Sequence, residues 1–305
     1  MNLNIKNETD TLVSVVLGIA ENLGPKPTVE NCIDPKTKFH ILNNTYPEED
    51  DCIKEIENFK NVLKKHNINV LRPNNNIQNL NQIFTRDISF VVEDKFFVPE
   101  IIKERNNEKN GINSIINNLR NDQKIIIPKN IKIEGGDIIL NDEFVFIGYS
   151  ENDKYINFKV SRTNKESLEY IQEQFPDKTI IGIKLIKNDE DRKNNILHLD
   201  CTMQPIGNKK IIIYENGIYH KKDLDTIYDI YGEKNLIKIN QKEMYEGCSN
   251  IFSINKKTIV SDTTFTRLNK ELERLNFSVE KVNYREISKF GGLFRCSTLP
   301  LERKS

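Results

Sequence analysis

The 305-residue sequence has no tryptophan, only five cysteines and no long apolar run. The cysteines are odd in number and widely scattered, so neither a disulfide framework nor a cysteine-rich metal site is expected. No apolar stretch approaches the length of a membrane span, and the N-terminus lacks the apolar core of a signal peptide. These absences predict free thiols in a reducing compartment, and therefore a cytoplasmic protein without a membrane partner.

An excess of charge of either sign is also absent, because 45 Lys and Arg residues balance 45 Asp and Glu residues. There is therefore no bulk electrostatic attraction to nucleic acid or to an anionic membrane, and we expect neither as a partner. No Pro/Gly/Ser-rich linker or shift in charge divides the chain. We predict a single domain over residues 1–305. The sequence leaves the oligomeric state open, a homo-oligomer included.

Short apolar strands alternate with helical segments along the chain. This pattern excludes an all-α bundle and predicts the α/β class. The helix before residue 175 is preceded by Thr163 with Glu166 three positions later, a capping-box pattern. No repeat of fixed period is visible. Strands are predicted at Val13–Gly18, Lys124–Pro128, Phe144–Gly148, Thr179–Ile186, Lys210–Tyr214 and Thr258–Ser261, and helices at Asp51–His66, Ile112–Asn121, Asn164–Phe175, Lys221–Tyr231 and Phe265–Asn276.

The most informative feature is a cysteine near the end of the chain, in the run Gly-Gly-Leu-Phe-Arg-Cys over residues 291–296. The two glycines allow positive φ and close approach of the backbone to a ligand. Arg295 places a cation beside Cys296, a thiol that must ionise to act as a nucleophile. For the cysteine alone, the alternative is a small buried hydrophobe at a turn.

A histidine and an acid lie close together in the run Ile-Leu-His-Leu-Asp-Cys over residues 196–201. We interpret this run as a strand, which would place His198 and Asp200 on the same face. A histidine beside a carboxylate suits general acid–base chemistry. The alternatives are a structural polar pair or part of a zinc site with a cysteine, but no second ligand pair at metal spacing appears. We predict no metal and no cofactor.

Two further motifs each place an acid at the mouth of an apolar strand. Phe-Thr-Arg-Asp at residues 84–87 runs into residues 88–92, and Glu-Gly-Gly-Asp at residues 134–137 runs into residues 138–140. Charged groups at such positions need a cationic partner. Taken singly, Gly-Gly-Asp is a common turn and Arg-Asp a common surface pair.

Together and in this order, these motifs and Ser-Arg-Thr-Asn at residues 161–164 resemble those of the guanidino-group-modifying enzymes. This superfamily includes arginine deiminases, dimethylarginine dimethylaminohydrolases and amidinotransferases. The resemblance extends from the strand at Val13–Gly18 to Cys296. It implies the pentein fold, a five-bladed α/β propeller of ββαβ units around a central active site.

The resemblance also implies roles for the motif residues. A guanidinium ion is planar and charged, so carboxylates hold it best, and we assign this grip to Asp87 and Asp200. Glu134 would hold the cation too or couple to His198. Cys296 would attack the guanidino carbon and form a thiouronium intermediate. His198 would protonate the departing amine and then deprotonate the second nucleophile.

The remaining motif residues are expected to bind substrate. Arg162 looks like a carboxylate-binding position of the dimethylarginine hydrolases. Arg86, Asp137 and Arg295, which belong to the same motifs, complete the predicted binding set. Polar stretches at residues 104–110 and 187–195 are candidates for a lid over the cleft.

The second nucleophile decides the activity. Water would make the protein a hydrolase of arginine or an arginine derivative, which releases ammonia or an alkylamine. An amine would make it an amidinotransferase. The Glu-Gly-Gly-Asp motif and Arg295 favour the hydrolase, whereas the stretches at residues 249–254 and 281–285 look more like the amidinotransferases. A non-catalytic pentein that only binds its ligand is the third hypothesis.

Overall fold

The computed structural model describes residues 1–75, 82–150 and 159–305. In these segments, the strands form five sheets of three strands each. All five sheets follow one plan, in which the middle strand pairs antiparallel with one neighbour and parallel with the other. Helical segments connect the two parallel strands of each sheet. The α/β class and the five ββαβ units expected from the sequence are present.

The strands are short and largely buried, as expected where helices pack on a sheet. In chain order, β1 to β15 are Thr11–Leu17, Asn69–Leu71, Phe90–Val92, Lys95–Val98, Lys124–Ile126, Ile138–Asn141, Phe144–Tyr149, Thr179–Lys184, Met203–Ile206, Lys210–Ile213, Leu236–Lys238, Phe252–Ser253, Thr258–Asp262, Ser278–Val282 and Thr298–Lys304. The sheets have the orders β3-β4-β5, β6-β7-β8, β11-β10-β9, β12-β13-β14 and β15-β1-β2.

The helices of the described segments lie mainly between the second and third strands of the units. In chain order, α1 to α8 are Pro35–Leu42, Glu49–Lys65, Thr85–Ile88, Asn113–Asn117, Glu166–Gln174, Lys221–Tyr231, Gln241–Glu246 and Thr266–Arg274. None of them is both long and apolar enough to cross a membrane.

The fifth sheet joins the two ends of the chain. Strand β15 pairs antiparallel with β1, from Thr11 opposite Lys304 to Leu17 opposite Thr298. The backbone N–H of Gly18 donates to the carbonyl of Ser297, 2.9 Å away. The segment before β15, which carries the C-terminal cysteine, is therefore held against the end of the N-terminal strand.

Most helix predictions are confirmed, with two corrections. The helix predicted at Ile112–Asn121 is shorter, because α4 covers only Asn113–Asn117 between two 3₁₀ turns. The capping box at Thr163 is wrong: the residue before α5 is Lys165, and the Thr163 hydroxyl instead donates to Asp137 at 2.6 Å. The local pattern predicted that the Thr163 hydroxyl caps α5, but in the structure this hydroxyl makes a tertiary hydrogen bond instead.

An aromatic cluster connects α2 to the segment before β15. Phe59 is fully buried and packs edge to face with Phe252, Tyr284 and Phe294, at ring-centroid distances of 6.0, 5.9 and 5.1 Å. Aromatic pairs in this geometry contribute beyond the area they bury. Because Phe294 lies two residues before the cysteine, this cluster fixes the backbone next to the thiol.

The Phe59→Ala variant should lose about 3–5 kcal/mol of unfolding free energy, because it leaves a cavity among three aromatic rings. Urea unfolding followed by circular dichroism measures the change. Leu42→Ala, which alters a largely exposed residue of α1, is the control and should stay within about 0.5 kcal/mol. Equal stability of the two variants would contradict this account of the cluster.

Candidate active site

Cys296 is buried at the end of a loop that requires glycine. Gly291 has a φ of 94°, in the left-handed region that favours glycine. A Cβ on Gly292 would lie 2.6 Å from the Phe84 ring and 2.8 Å from the Cys296 Cβ. The loop can therefore pass this close to its neighbours only because the side chain is absent, as the Gly-Gly pair suggested.

Asn250, which the sequence analysis missed, holds the cysteine loop. Its side-chain carbonyl accepts hydrogen bonds from the backbone N–H groups of Leu293 and Cys296, both at 3.1 Å. Its amide nitrogen donates to the Cys296 Sγ at 3.1 Å. A single asparagine thus orients both the backbone and the sulfur. The only sequence signal was its place in the stretch at residues 249–254.

His198 faces two carboxylates. Its Nε2 lies 2.8 Å from Glu134 Oε2, and its Nδ1 lies 3.6 Å from Asp87 Oδ1. The predicted strand at residues 196–201 is wrong, because His198 is an extended residue that leads into the 3₁₀ turn Leu199–Cys201. The turn still directs both His198 and Asp200 toward the cysteine, although strand alternation is not the reason.

One carboxylate oxygen of Asp87 accepts a hydrogen bond, and the other accepts none from the described residues. Oδ2 accepts from Arg105 at 2.7 Å, whereas the buried Oδ1 has no hydrogen-bond partner among the described residues. A buried acceptor without a partner is costly. A Cβ on Gly136 would lie 2.8 Å from this Oδ1 and 2.7 Å from the His198 ring, so the Gly-Gly turn makes room for both groups.

Asp200 lies beside the thiol. The Cys296 Sγ is 3.5 Å from Asp200 Oδ2, and the same oxygen accepts a hydrogen bond from Arg295 at 3.0 Å. Arg295 is fully buried and also pairs with Glu8 at 2.8 Å. The prediction that Arg295 binds substrate is therefore wrong, because both ends of its guanidinium are occupied inside the protein. Arg295 holds Asp200 in place.

Arg86 and Asp137, also predicted to bind substrate, belong to the scaffold as well. The Nε of Arg86 donates to the carbonyl of Arg295, and its backbone N–H donates to the carbonyl of Cys296. Asp137 accepts hydrogen bonds from the Thr163 hydroxyl and from the backbone N–H of Leu199. Asp137 therefore anchors the turn that presents His198 and Asp200, and neither residue lines the cavity beside the cysteine.

A cavity, here called the Cys296 cavity, opens at the thiol. Four predicted residues line it, namely Asp87, Arg162, His198 and Cys296. Asp34 and Arg105 line it too and were not predicted as site residues. Asp34 precedes α1 and has no motif around it, and its approach to the cysteine loop depends on the tertiary fold.

Two arginines in the Cys296 cavity pair with its acids. Arg162 donates to both oxygens of Glu134, at 3.1 and 3.3 Å. Arg105 bridges Asp87 and Glu108, with distances of 2.7 Å to each. Since Arg105 and Glu108 are buried, the stretch at residues 104–110 is anchored at the site rather than lying over it as a separate lid.

The local electrostatics favour a neutral thiol and a charged imidazole. Burial, with Asp200 and Asp87 nearby, raises the pKa of Cys296 well above its usual range, and the hydrogen bond from Asn250 opposes this only in part. Burial alone would lower the pKa of His198, but the adjacent carboxylates outweigh it and raise that pKa. The expectation that Arg295 favours the thiolate is therefore wrong for the empty site.

Metal-ligand geometry occurs among the described residues at Asp87, Glu134 and His198, whose ligand atoms lie within 4.8 Å of one another. This set differs from the pair of His198 and Asp200 considered from the sequence. Arg105 and Arg162 already bond to the two carboxylates. The cluster is therefore arranged around guanidinium groups, which carboxylates bind in paired hydrogen bonds.

Comparison with known proteins gives a consistent result. The family model described as N,N dimethylarginine dimethylhydrolase, eukaryotic, matches residues 33–303. The uncharacterized protein YkgA of Bacillus subtilis (strain 168) is 28% identical over 302 residues, which cover 98% of this chain and 94% of that protein.

Several solved structures have the same fold. The N-terminal domain of ArgZ, an arginine dihydrolase from the ornithine–ammonia cycle in cyanobacteria, has a TM-score of 0.78 and 17% identity, over 96% of this chain and 98% of that chain. SxtG, an amidinotransferase from Microseira wollei, has a TM-score of 0.77 and 16% identity, over 99% and 98%. AgrE, in complex with ornithine and NAD+, has a TM-score of 0.78 and 19% identity, but this chain spans only 40% of its length.

In the empty protein, Cys296 should alkylate slowly at neutral pH, and its rate should still rise above the pH at which an ordinary thiol is half ionised, about 8.5. The reason is that burial and two carboxylates disfavour the thiolate. Iodoacetamide labelling as a function of pH, with peptide mapping by mass spectrometry, measures this. The Cys296→Ser variant identifies the labelled peptide. A rate that already levels off at neutral pH would contradict the electrostatic account.

Proposed function

The chain belongs to the N,N dimethylarginine dimethylhydrolase family, and on that premise we propose that it is a cysteine-dependent hydrolase acting on the guanidino group of arginine or an arginine derivative. The superfamily and enzyme class expected from the sequence are confirmed, since this is a guanidino-modifying enzyme with the pentein fold. The choice of hydrolysis over amidino transfer and the roles of individual residues form the proposal.

The family match supports the choice of hydrolysis, and the position of the unpartnered Asp87 Oδ1 carries the proposed binding of a guanidinium. This oxygen is buried without a hydrogen bond, and its residue lines the same cavity as Cys296 and His198. A substrate guanidinium would supply the missing hydrogen bond to this oxygen. Glu134 would support the cation from its place beside His198. Asp200 is a further buried acid of the site, and its carboxylate lies beside the Cys296 sulfur.

The carboxylate end of the substrate would lie against Arg162, which was proposed from the sequence as a carboxylate-binding residue and lines the Cys296 cavity. Arg105 also lines the cavity, but its guanidinium is already bonded to Asp87 and Glu108. Of the structurally similar proteins, a variant of AgrE is described in a complex with L-arginine. An arginine-like substrate, with a guanidinium at one end and a carboxylate at the other, matches the two kinds of charge that line the cavity.

Substrate binding would also activate the nucleophile. The carboxylates that hold the Cys296 thiol neutral in the empty site would be compensated by the substrate cation, which lowers the thiol pKa. The thiol proton leaves to solvent, and the thiolate then attacks the guanidino carbon and forms a C–S bond. The N-terminal domain of ArgZ is described covalently bound to a reaction intermediate, and an intermediate on Cys296 is what we propose here.

His198 would move the protons of both steps. Because neighbouring carboxylates raise its pKa, it is protonated when substrate binds and can donate to the departing amine as the C–N bond breaks. The neutral imidazole then accepts a proton from water, whose oxygen attacks the thiouronium carbon. The C–S bond breaks, the thiolate returns, and the product is a ureido compound.

Three expectations from the sequence stay predictions. They are the cytoplasmic location, the organisation of residues 1–305 as one domain, and any homo-oligomer. A small guanidino compound is the partner we propose, and the five cysteines are all free thiols in the structure.

Product analysis by mass spectrometry tests the proposed function. Purified protein is incubated with arginine or a methylated arginine, with and without glycine or ornithine as an amine acceptor. We expect a ureido product and a free amine or ammonia in the absence of acceptor. Cys296→Ser should form no product, because an alcohol at this position is a far weaker nucleophile than a thiolate.

The matched control is Cys32→Ser, which changes a partly exposed thiol outside the Cys296 cavity and should leave turnover unchanged. Product formed only with an acceptor would identify an amidinotransferase instead. Substrate binding without any product in the unaltered protein would favour a non-catalytic ligand-binding role.

A further inference from the structure

A second cavity adjoins the Cys296 cavity. We call it the Arg192 cavity. Asp34, Leu197 and Gly291 line both cavities and thus form the junction between them. Asn250, whose amide contacts the Cys296 sulfur, lines the second cavity only. Apart from Asn250, the side chains that lie beyond this junction have no part in the proposed reaction.

Three segments of the chain meet around the Arg192 cavity. Lys36 comes from α1, Arg192 from the loop that follows β8, and Tyr245 from α7. The Lys36 ammonium donates to the Tyr245 carbonyl at 3.1 Å, and Arg192 Nε donates to the Tyr245 hydroxyl at 3.0 Å. The Arg192 guanidinium also lies 3.5 Å from the centre of the Phe39 ring. These contacts hold both cations in defined positions.

Neither cation has an anionic partner. Within the described part of the chain, no carboxylate lies within ion-pair distance of Lys36 or Arg192, and the terminal nitrogens of Arg192 have no hydrogen-bond acceptor. Burial and the nearby Arg285 lower the pKa of Lys36 to about 8. An anionic ligand would relieve this unfavourable concentration of positive charge.

A complementary acid lies at the junction. One oxygen of Asp34 accepts from the backbone N–H of Thr37, and the residue lines both cavities. Burial raises the pKa of Asp34, so a cation beside it would be stabilising. Met244 and Leu293 supply apolar wall between the charges. The cavity thus has an acid at its inner end, two cations beyond it and an aliphatic surface.

We propose that the Arg192 cavity binds a free small amino acid in its zwitterionic form, as a site separate from the guanidino site. The carboxylate of the ligand pairs with Lys36 and Arg192, and its ammonium pairs with Asp34. Charge-assisted hydrogen bonds of this kind provide both affinity and orientation. This site goes beyond the proposed hydrolysis, and ligand binding to it does not require turnover.

Isothermal titration calorimetry with L-norvaline tests the proposal, since this amino acid has an aliphatic side chain and no guanidino group. The protein is the full chain carrying Cys296→Ala, which prevents turnover, and it is titrated with and without saturating arginine. We expect saturable binding in both cases. Strict competition between norvaline and arginine, or no saturable binding at all, would overturn the proposal.

Variants locate the site. Arg192→Gln and Lys36→Met should each weaken norvaline binding about tenfold or more, because each removes a charge-assisted contact to the carboxylate. Lys193→Gln is the matched control, since it removes an exposed cation next to Arg192 that does not line the cavity. Unchanged affinity in both Arg192→Gln and Lys36→Met would overturn the proposal.

The ammonium contact has its own test. Asp34→Asn keeps a side chain that can cap α1, so the helix should form. It should weaken norvaline binding about tenfold while leaving the weaker binding of butyrate, which has no ammonium group, unchanged. Unchanged norvaline binding, or an equal loss of norvaline and butyrate binding with an unchanged thermal unfolding midpoint, would contradict the ammonium contact to Asp34.

Discussion

The site depends on one constraint, which is that a buried carboxylate needs a positively charged partner. Several acids around Cys296 are almost fully buried and are paired with arginines. Arg295 pairs with Glu8 and Asp200, while Arg105 pairs with Asp87 and Glu108. Removing one member of such a pair is strongly destabilising, because it leaves the other charge buried without a partner. The arginines therefore fix the positions of the carboxylates before any substrate arrives.

This pairing is incomplete at one point, and the incompleteness has a chemical consequence. Asp87 Oδ1 has no hydrogen-bond partner within the described segments, and burial together with the surrounding negative charge raises the pKa of the Cys296 thiol. A ligand cation would complete the pairing and at the same time favour the thiolate. In the proposed mechanism, the binding of a guanidinium and the activation of the nucleophile thus have the same electrostatic cause. The thiol would be reactive mainly when the substrate is in place.

The sequence predicted the parts of the structure that local patterns control. Alternation of short strands and helices indicated the α/β class, and α6 lies at the predicted residues Lys221–Tyr231. The ordered motifs identified the superfamily. Four residues of these motifs, Cys296, His198, Asp87 and Arg162, line one cavity in the structure. Each of these inferences rests on patterns that are local to a strand, a helix or a single motif.

Contacts between distant residues account for what the sequence did not predict. Arg295 pairs with Glu8, 287 positions away, and no local pattern distinguishes that role from binding substrate. Asn250 holds a loop 46 positions away, and Asp34 reaches the cysteine loop only through the packing of α1. The mistaken strand at His198 has a similar cause, because Asp137 accepts the backbone N–H of Leu199 and stabilises a turn there.

The measurement that tests the central claim most directly is acid quenching of the protein during turnover, followed by peptide mapping of Cys296. With arginine or a methylated arginine as substrate, the account predicts a transient amidino adduct on the Cys296 peptide that decays as the ureido product accumulates. The other four cysteines should carry no adduct. Full turnover without any adduct on Cys296, under conditions in which hydrolysis of the adduct is the slow step, would contradict the covalent mechanism.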